Sequence, residues 1–284
     1  MKELDDTHFF FFFRHIEQNY GISIPPEKRV MVQSRLTKRA FQLKCRNIDE
    51  YIDMVLAKDA VADEVNVMIN MISTHLTSFF REPGHFDILA AKIVPHLLER
   101  FDATRNQPLM FWSAACSSGE EVHTLAMVLE SLRQSGAAGR KGFEYALLGT
   151  DISTTMVETA RRAIYPISAH HTIPPAYRIP FTMVATSHDR FRMVPELRER
   201  CFFRALNLMS QPYPLENRFH VVFCRNVLIY FNPERQLKVL TEICRHLDDE
   251  GFLVVGHAES IMSLPLPLRQ FAPTVYQKKA AHEV

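Results

Sequence analysis

Through residues 1–105 the apolar positions recur at helical spacing; from residue 108 onward short apolar runs of strand length alternate with helical stretches. The first helix carries Phe9 to Phe13, Ile16 and Tyr20, with Thr7 as its cap and Gly21 as its end. Five consecutive phenylalanines exceed one helical face, so some ring must meet another element or water. Pro25-Pro26 breaks the chain before a helix over 27–45, whose apolar stripe reads Val30, Met31, Leu36, Ala40 and Leu43. Its other face carries Lys28, Arg29, Arg35, Lys38, Arg39, Lys44 and Arg46, with Glu27 as the one acid. Further helices are expected over 48–56, 61–72 and 84–101, followed by a polar linker over 102–107.

In the second half an apolar run over 108–112 leads through small residues, Ser113 to Gly119, into a helix over 120–132. A second strand over 143–150 ends at Asp151, before a helix over 153–163. Asp151 stands where such folds hold ribose hydroxyls, and equally where a helix N-cap belongs. Periodicity fades over 166–200, which holds five prolines and two candidate short strands, 181–184 and 191–194. Strands over 201–206 and 220–224 end at Asn207-Leu208 and Arg225-Asn226, on the edge where open α/β sheets bind ligands. A helix over 234–247, a strand over 251–256 and a last strand over 274–278 complete the pattern. The expectation is an α/β protein: an all-helical domain over 1–101, a linker over 102–107, and a doubly wound Rossmann-like domain over 108–284 with a small inserted β-subdomain near 166–200.

Composition narrows the function. A formal charge of +1 gives no field for nucleic acid or an anionic membrane. No apolar run approaches the roughly 20 residues of a membrane span, and Met1 to Asp6 lacks a signal-peptide layout. Five cysteines without a C-x-x-C pair suit free thiols in the cytoplasm. There is no Walker A loop, no G-x-S-x-G elbow and no H-E-x-x-H, and no metal site is expected. The first strand–turn–helix unit opens its helix with Glu120 and Glu121, acids that would repel a pyrophosphate. S-adenosylmethionine suits it: ribose hydroxyls for Asp151, an α-amino group for an acid, and a sulfonium cation.

Six motifs then stand in order: Thr77-Ser-Phe-Phe-Arg-Glu82, Trp112-Ser-Ala-Ala-Cys-Ser-Ser-Gly-Glu-Glu121, Gly149-Thr-Asp-Ile152, Asn207-Leu208, Phe223-Cys-Arg-Asn-Val-Leu-Ile-Tyr-Phe231 and Gly256-His-Ala-Glu-Ser260. The set resembles the chemotaxis-receptor glutamate O-methyltransferases of the CheR type. The resemblance implies an S-adenosylmethionine-dependent methyltransferase domain and methyl transfer to glutamate side chains on the cytoplasmic helical bundle of chemoreceptors. By position it implies a cofactor site of His75, Thr77, Arg81, Glu121, Asp151, Asn207, Leu208, Arg225 and Asn226. It likewise implies that Arg81 and Tyr230 orient the acceptor and that the basic helix with Arg35, Lys38 and Arg39 docks the receptor. A monomer is expected. The alternative is a cofactor-binding adaptor that has lost turnover.

The chain departs from the family at three positions. His75 stands where members commonly have Asn, and Val122-His123 where they commonly have Pro-Tyr. The segment 182–191 has no glycine, whereas members that grip a receptor's tail peptide tend to have glycines there. Tail binding is therefore not carried over.

Overall fold

The computed structural model describes residues 6–57, 62–73 and 75–280. Four helices form first: α1 (Asp6–Tyr20), α2 (Pro26–Gln42), α3 (Ile48–Leu56) and α4 (Ala62–Ile72). Pro26 opens α2 in the turn where a missing N–H costs nothing. Asn47 caps α3 by accepting the Glu50 N–H at 2.9 Å. The capping role expected of Thr7 concerns a side chain outside the described residues.

Phe12, Ile16, Leu36, Tyr51, Ile52 and Met68 form a core that is closed to water. Phe9 joins it, while Phe10 and Phe11 stand in solvent, as five rings in a row require. The stripe of α2 differs from expectation. It is Val32, Leu36 and Ala40, whereas Val30, Met31 and Leu43 are exposed. Val30 and Met31 stand about 200° and 100° around the helix from Val32, so they miss the buried line.

The helical run after residue 83 comprises α5 (Gly84–Ile88), a π-helical turn (Leu89–Ile93) and α6 (Val94–Arg100). The turn precedes Pro95, which has no N–H for a regular helical bond. Phe86, Leu89, Ile93 and Leu97 pack with Phe111 and Phe223 of the sheet described next. The sheet's core thus reaches upstream of the 102–107 linker, which itself makes a tight turn bridging Thr104 and Gln107.

A seven-stranded sheet follows. In chain order its members are β1 (Leu109–Ala114), β2 (Tyr145–Asp151), β6 (Cys201–Ala205), β7 (Phe219–Cys224), β8 (Leu247–Val255), β9 (Leu268–Ala272) and β10 (Val275–Lys278). Side by side they run β6-β2-β1-β7-β8-β10-β9. The first five are parallel, and β10 is antiparallel to both neighbours. Alternation sends Phe111, Leu147, Val221, Phe223 and Val254 to one face and Trp112, Leu148, Val222, Cys224 and Val255 to the other. Helices α7 (Glu120–Ser135) and α8 (Thr154–Arg162) follow β1 and β2, and α9 (Pro233–His246) follows β7. With both faces covered, the strands read as continuous apolar runs.

The inserted subdomain is a three-stranded antiparallel sheet of β3 (Ile164–Pro166), β5 (Arg190–Met193) and β4 (Thr182–Val184). Strands β3 and β9 were not foreseen. Three residues ending in proline, and five with mostly exposed side chains, give no periodicity to read.

Both residues at the 122–123 departure face inward. Val122 packs beneath β2, where Gly149 leaves room for its methyl groups. His123 is fully buried against Tyr165 and Phe203, and its Nε2 meets the Ala160 carbonyl at 3.1 Å. Burial lowers its pKa from 6.5 to about 4, so between those values the unfolded chain binds the extra proton and folding weakens as pH falls. His123→Tyr should therefore lose less stability than the parent between pH 7 and pH 5, as measured by urea unfolding at both pH values. An equal loss in both proteins would show that His123 is not a source of the acid sensitivity.

Candidate functional site

Register fixes where the polar residues lie. Ala114 pairs with both Thr150 and Cys224, Asp151 with Ala205, and Cys224 with Val255. The five parallel strands therefore end along one edge, and the residues just beyond them meet there. One cavity opens on this edge, and its wall includes His75, Thr77, Arg81, Glu121, Asp151, Asn207, Leu208, Arg225, Asn226 and Tyr230. All ten cofactor and acceptor residues expected from the sequence thus share one cavity. The N-terminal domain adds Tyr20, Gly21, Ile24 and Lys28 to its wall, which sequence reasoning missed.

The turn after β1 is tight. Ala115, Ser117 and Gly119 all take left-handed conformations. Gly119 needs its lack of Cβ twice, because an added carbon would also lie 2.9 Å from the Ala160 backbone. The Ser117 N–H donates to Asp151 Oδ2 at 2.8 Å, and the Ser153 N–H to Oδ1 at 2.9 Å. Asp151 is not the cap of α8; that role falls to Ser153, whose Oγ accepts the Met156 N–H at 3.0 Å. Burial pushes the Asp151 carboxyl up, against the pull of these backbone N–H groups and of His75.

Glu121 and Asp151 are the two carboxylates of the lining. Glu121 accepts Ser113 Oγ–H at 2.8 Å and an Arg225 N–H at 2.7 Å. Glu120 lies off the lining, its carboxylate accepting the Ser118 hydroxyl at 2.7 Å. Arg225 is buried and also donates to Glu82 at 3.0 Å and to the Arg81 carbonyl at 2.6 Å. Asn226 donates to the other Glu82 oxygen at 3.2 Å. Burial raises the Glu82 pKa, but the Arg225 and Asn226 hydrogen bonds outweigh it and leave the carboxyl below its usual range. Glu259 accepts the N–H groups of Asn226, Leu228 and Gly256, shaping the turn beyond β7, while burial drives its pKa up.

Glu82 and Glu259 were not singled out from the sequence as site residues. Both lie within motifs quoted for the resemblance, and the signal available was an acid just past a strand end or before a helix. Asn207 serves two purposes: it lines the cavity and donates to the Asn19 carbonyl at 2.8 Å, tying the domains together. Arg235 and Glu17, at 2.7 Å, make a second tie.

The cavity suits a polar cofactor. Of ten buried side-chain polar atoms without a partner among the described residues, four belong to its wall: Ser73 Oγ, His75 Nε2, Ser117 Oγ and Arg225 Nε. Unpaired buried polar atoms are costly, and a ligand with hydroxyl, amino and carboxylate groups supplies the missing partners. Ile72, Ile152, Leu206 and Leu208 give the same cavity an apolar wall suited to a flat base.

Of the three cations assigned to docking, the structure leaves two at the surface. Arg35 and Lys38 are exposed, Arg35 also donating to the Met71 carbonyl at 2.6 Å. Arg39 is instead bound to Glu64 through two hydrogen bonds of 2.9 and 2.6 Å, with the Tyr51 hydroxyl on the same carboxylate. It fastens α2 to α4.

The chain matches the CheR methyltransferase SAM binding domain over residues 75–276 and the CheR methyltransferase all-alpha domain over residues 7–73. It is 33% identical over 263 residues to the chemotaxis protein methyltransferase of Borreliella burgdorferi, covering 93% of this chain and 91% of that protein. It is 34% identical over 275 residues to the chemotaxis protein methyltransferase of Salmonella typhimurium, covering 96% and 90%. The domain pair and the relatives over most of the chain agree: the chain belongs to the CheR methyltransferase family and is an S-adenosylmethionine-dependent methyltransferase of chemotaxis.

Proposed function

We propose that the chain methylates glutamate carboxylates on the cytoplasmic helical bundle of a chemoreceptor, working as a monomer in the cytoplasm. The observation that carries this reading is the makeup of the cavity wall. Arg81 and Tyr230 from one domain stand with Lys28 from the other, and the Lys28 ammonium lies 5.9 Å from the centre of the Tyr230 ring. Two cations and a phenol suit an anionic acceptor. A glutamate is already ionised near neutral pH, so no general base is required and positioning supplies the catalysis.

In this reading Asp151 holds the ribose hydroxyls, and Glu121, fixed by Ser113 and Arg225, takes the α-amino group. His75, Thr77, Asn207, Leu208, Arg225 and Asn226 complete the cofactor's surroundings. S-adenosylmethionine supplies an electrophilic methyl group. Arg81 steers the incoming carboxylate, and Tyr230 hydrogen-bonds beside the reacting centre. The receptor docks on Arg35 and Lys38 of α2, with Arg39 holding that helix in place. The reading as an inactive adaptor loses much of its motivation, because Val122 and His123 are core residues and do not line the cavity. Among the described residues no helix is long and apolar enough to cross a membrane.

The direct test incubates the protein with labelled S-adenosylmethionine and membranes bearing its cognate receptors. Base-labile label on the receptor band is expected, and its absence with cofactor binding confirmed would refute the proposal. Asp151→Ala should weaken cofactor binding by about 1.5–3 kcal/mol, the cost of losing hydrogen bonds to a charged group. An unchanged dissociation constant in titration calorimetry would contradict the ribose assignment. Arg81→Ala should keep much of that affinity and lose turnover. Arg35→Glu combined with Lys38→Glu should slow receptor methylation, most clearly at low salt, since exposed charges are screened over about 10 Å at 0.1 M. Equal rates at both salt levels would reduce the patch to solvated surface.

A further inference from the structure

Behind the cofactor cavity, Glu82, His85 and His257 converge from two distant parts of the chain. One ligand atom from each lies within 4.8 Å of the others, and among the described residues this is the one such group of three. His85 is 1% exposed, and its Nδ1 has no hydrogen-bond partner. Its Nε2 meets the Thr274 hydroxyl at 2.6 Å, and its Nδ1 lies 3.5 Å from a Glu82 carboxylate oxygen. With Nε2 as the donor to Thr274, the neutral ring turns an Nδ1 lone pair toward that carboxylate, an arrangement that a cation bridges.

The local charge agrees. Arg225 is shared between two carboxylates, Glu82 and Glu121, and the other donors to Glu82 are neutral, the Asn226 amide at 3.2 Å and the His257 backbone N–H at 3.3 Å. The His257 ring lies 4.8 Å from that of His85 and is on the exposed side, free to turn a nitrogen inward.

We propose that Glu82, His85 and His257 form a binding site for a divalent ion of the zinc or cobalt type. Two imidazoles and one carboxylate are a donor set that such ions favour, with a position left for water. The 3.5 Å separation of His85 Nδ1 and Glu82 fits two neighbours on one ion with bonds of about 2.0–2.2 Å. No sequence motif announces the site, because Glu82 and His85 are three apart while His257 comes from the turn after β8. The ion shares Glu82 with Arg225 and Asn226, so its occupancy loosens the clamp at the cofactor cavity.

Titration of the full-length protein with cobalt chloride tests this, read by the visible absorption of protein-bound cobalt. One saturable cobalt ion per chain is expected. His257→Ala, a change at an exposed side chain, should weaken it at least tenfold. A control with His170→Ala and His171→Ala together, which removes the adjacent surface pair, should leave it intact. No saturable band in the parent, a His257→Ala titration matching the parent, or loss in the control instead would each overturn the site. With cobalt saturating, S-adenosylhomocysteine should bind the parent more weakly and His257→Ala unchanged; equal affinity in the parent with and without cobalt would overturn the coupling to the clamp.

Discussion

One guanidinium holds the functional edge of the sheet together. Arg225 leaves the end of β7 and engages both terminal nitrogens: with Glu121 at the start of α7, and with Glu82 and the Arg81 carbonyl from the segment before α5. These three segments are far apart in sequence, and each carries residues of the cavity wall. Buried ion pairs gain little net stability, because desolvation cancels much of the attraction. Geometry is the gain. Without Arg225, two carboxylates would share a poorly hydrated space and would repel the segments that carry them. The arginine fork makes bonds in fixed directions, so it sets where Glu121 and Arg81 stand relative to each other.

The backbone around this clamp is strained and held. Phe80, Glu82, Ala115, Ser117 and Asn226 all have φ in the left-handed region without being glycine, each costing on the order of 1–3 kcal/mol. For three of them a side chain accepts the residue's own N–H: Thr124 for Phe80, Asp151 for Ser117 and Glu259 for Asn226. Asp151 and Glu259 are mostly buried, and both have raised pKa values because of that burial. The fold thus keeps acids in unfavourable surroundings to fix turns that point side chains into one cavity. Of these three supports, Asp151 also lines the cavity itself.

This explains what the sequence disclosed. Strand ends were legible because apolar runs stop abruptly at polar pairs, as at Arg225-Asn226 and Asp151, and the doubly wound order then brings those ends together. Motifs in order supplied the family. What stayed hidden depends on partners. Helical periodicity shows that the run over 84–100 buries a face but not against which domain, so Phe86 and Leu97 joined an unexpected core. Likewise, a basic helix face does not show which cation an internal acid has taken. Glu64 takes Arg39 from across two helices. The roles of Glu82 and Glu259 rest on contacts with Arg225, Asn226 and backbone N–H groups that no local pattern encodes.

Helix α2 connects the two ends of the proposed reaction. Lys28 near its start lines the cofactor cavity, and Arg35 and Lys38 are exposed further along the same rod. At 1.5 Å per residue the distance from Lys28 to Lys38 is about 15 Å, roughly three helical turns. An acidic helix lying along α2 would therefore meet Arg35 and Lys38 within one turn while a side chain about two or three turns away reached the cavity mouth. Because the protein as a whole is nearly neutral, attraction of such a partner would come from local patches such as this strip and not from the whole surface. The internal pairing of Arg39 with Glu64 sharpens that locality: it spends one charge to make the strip rigid and leaves the remaining charges where a partner can reach them.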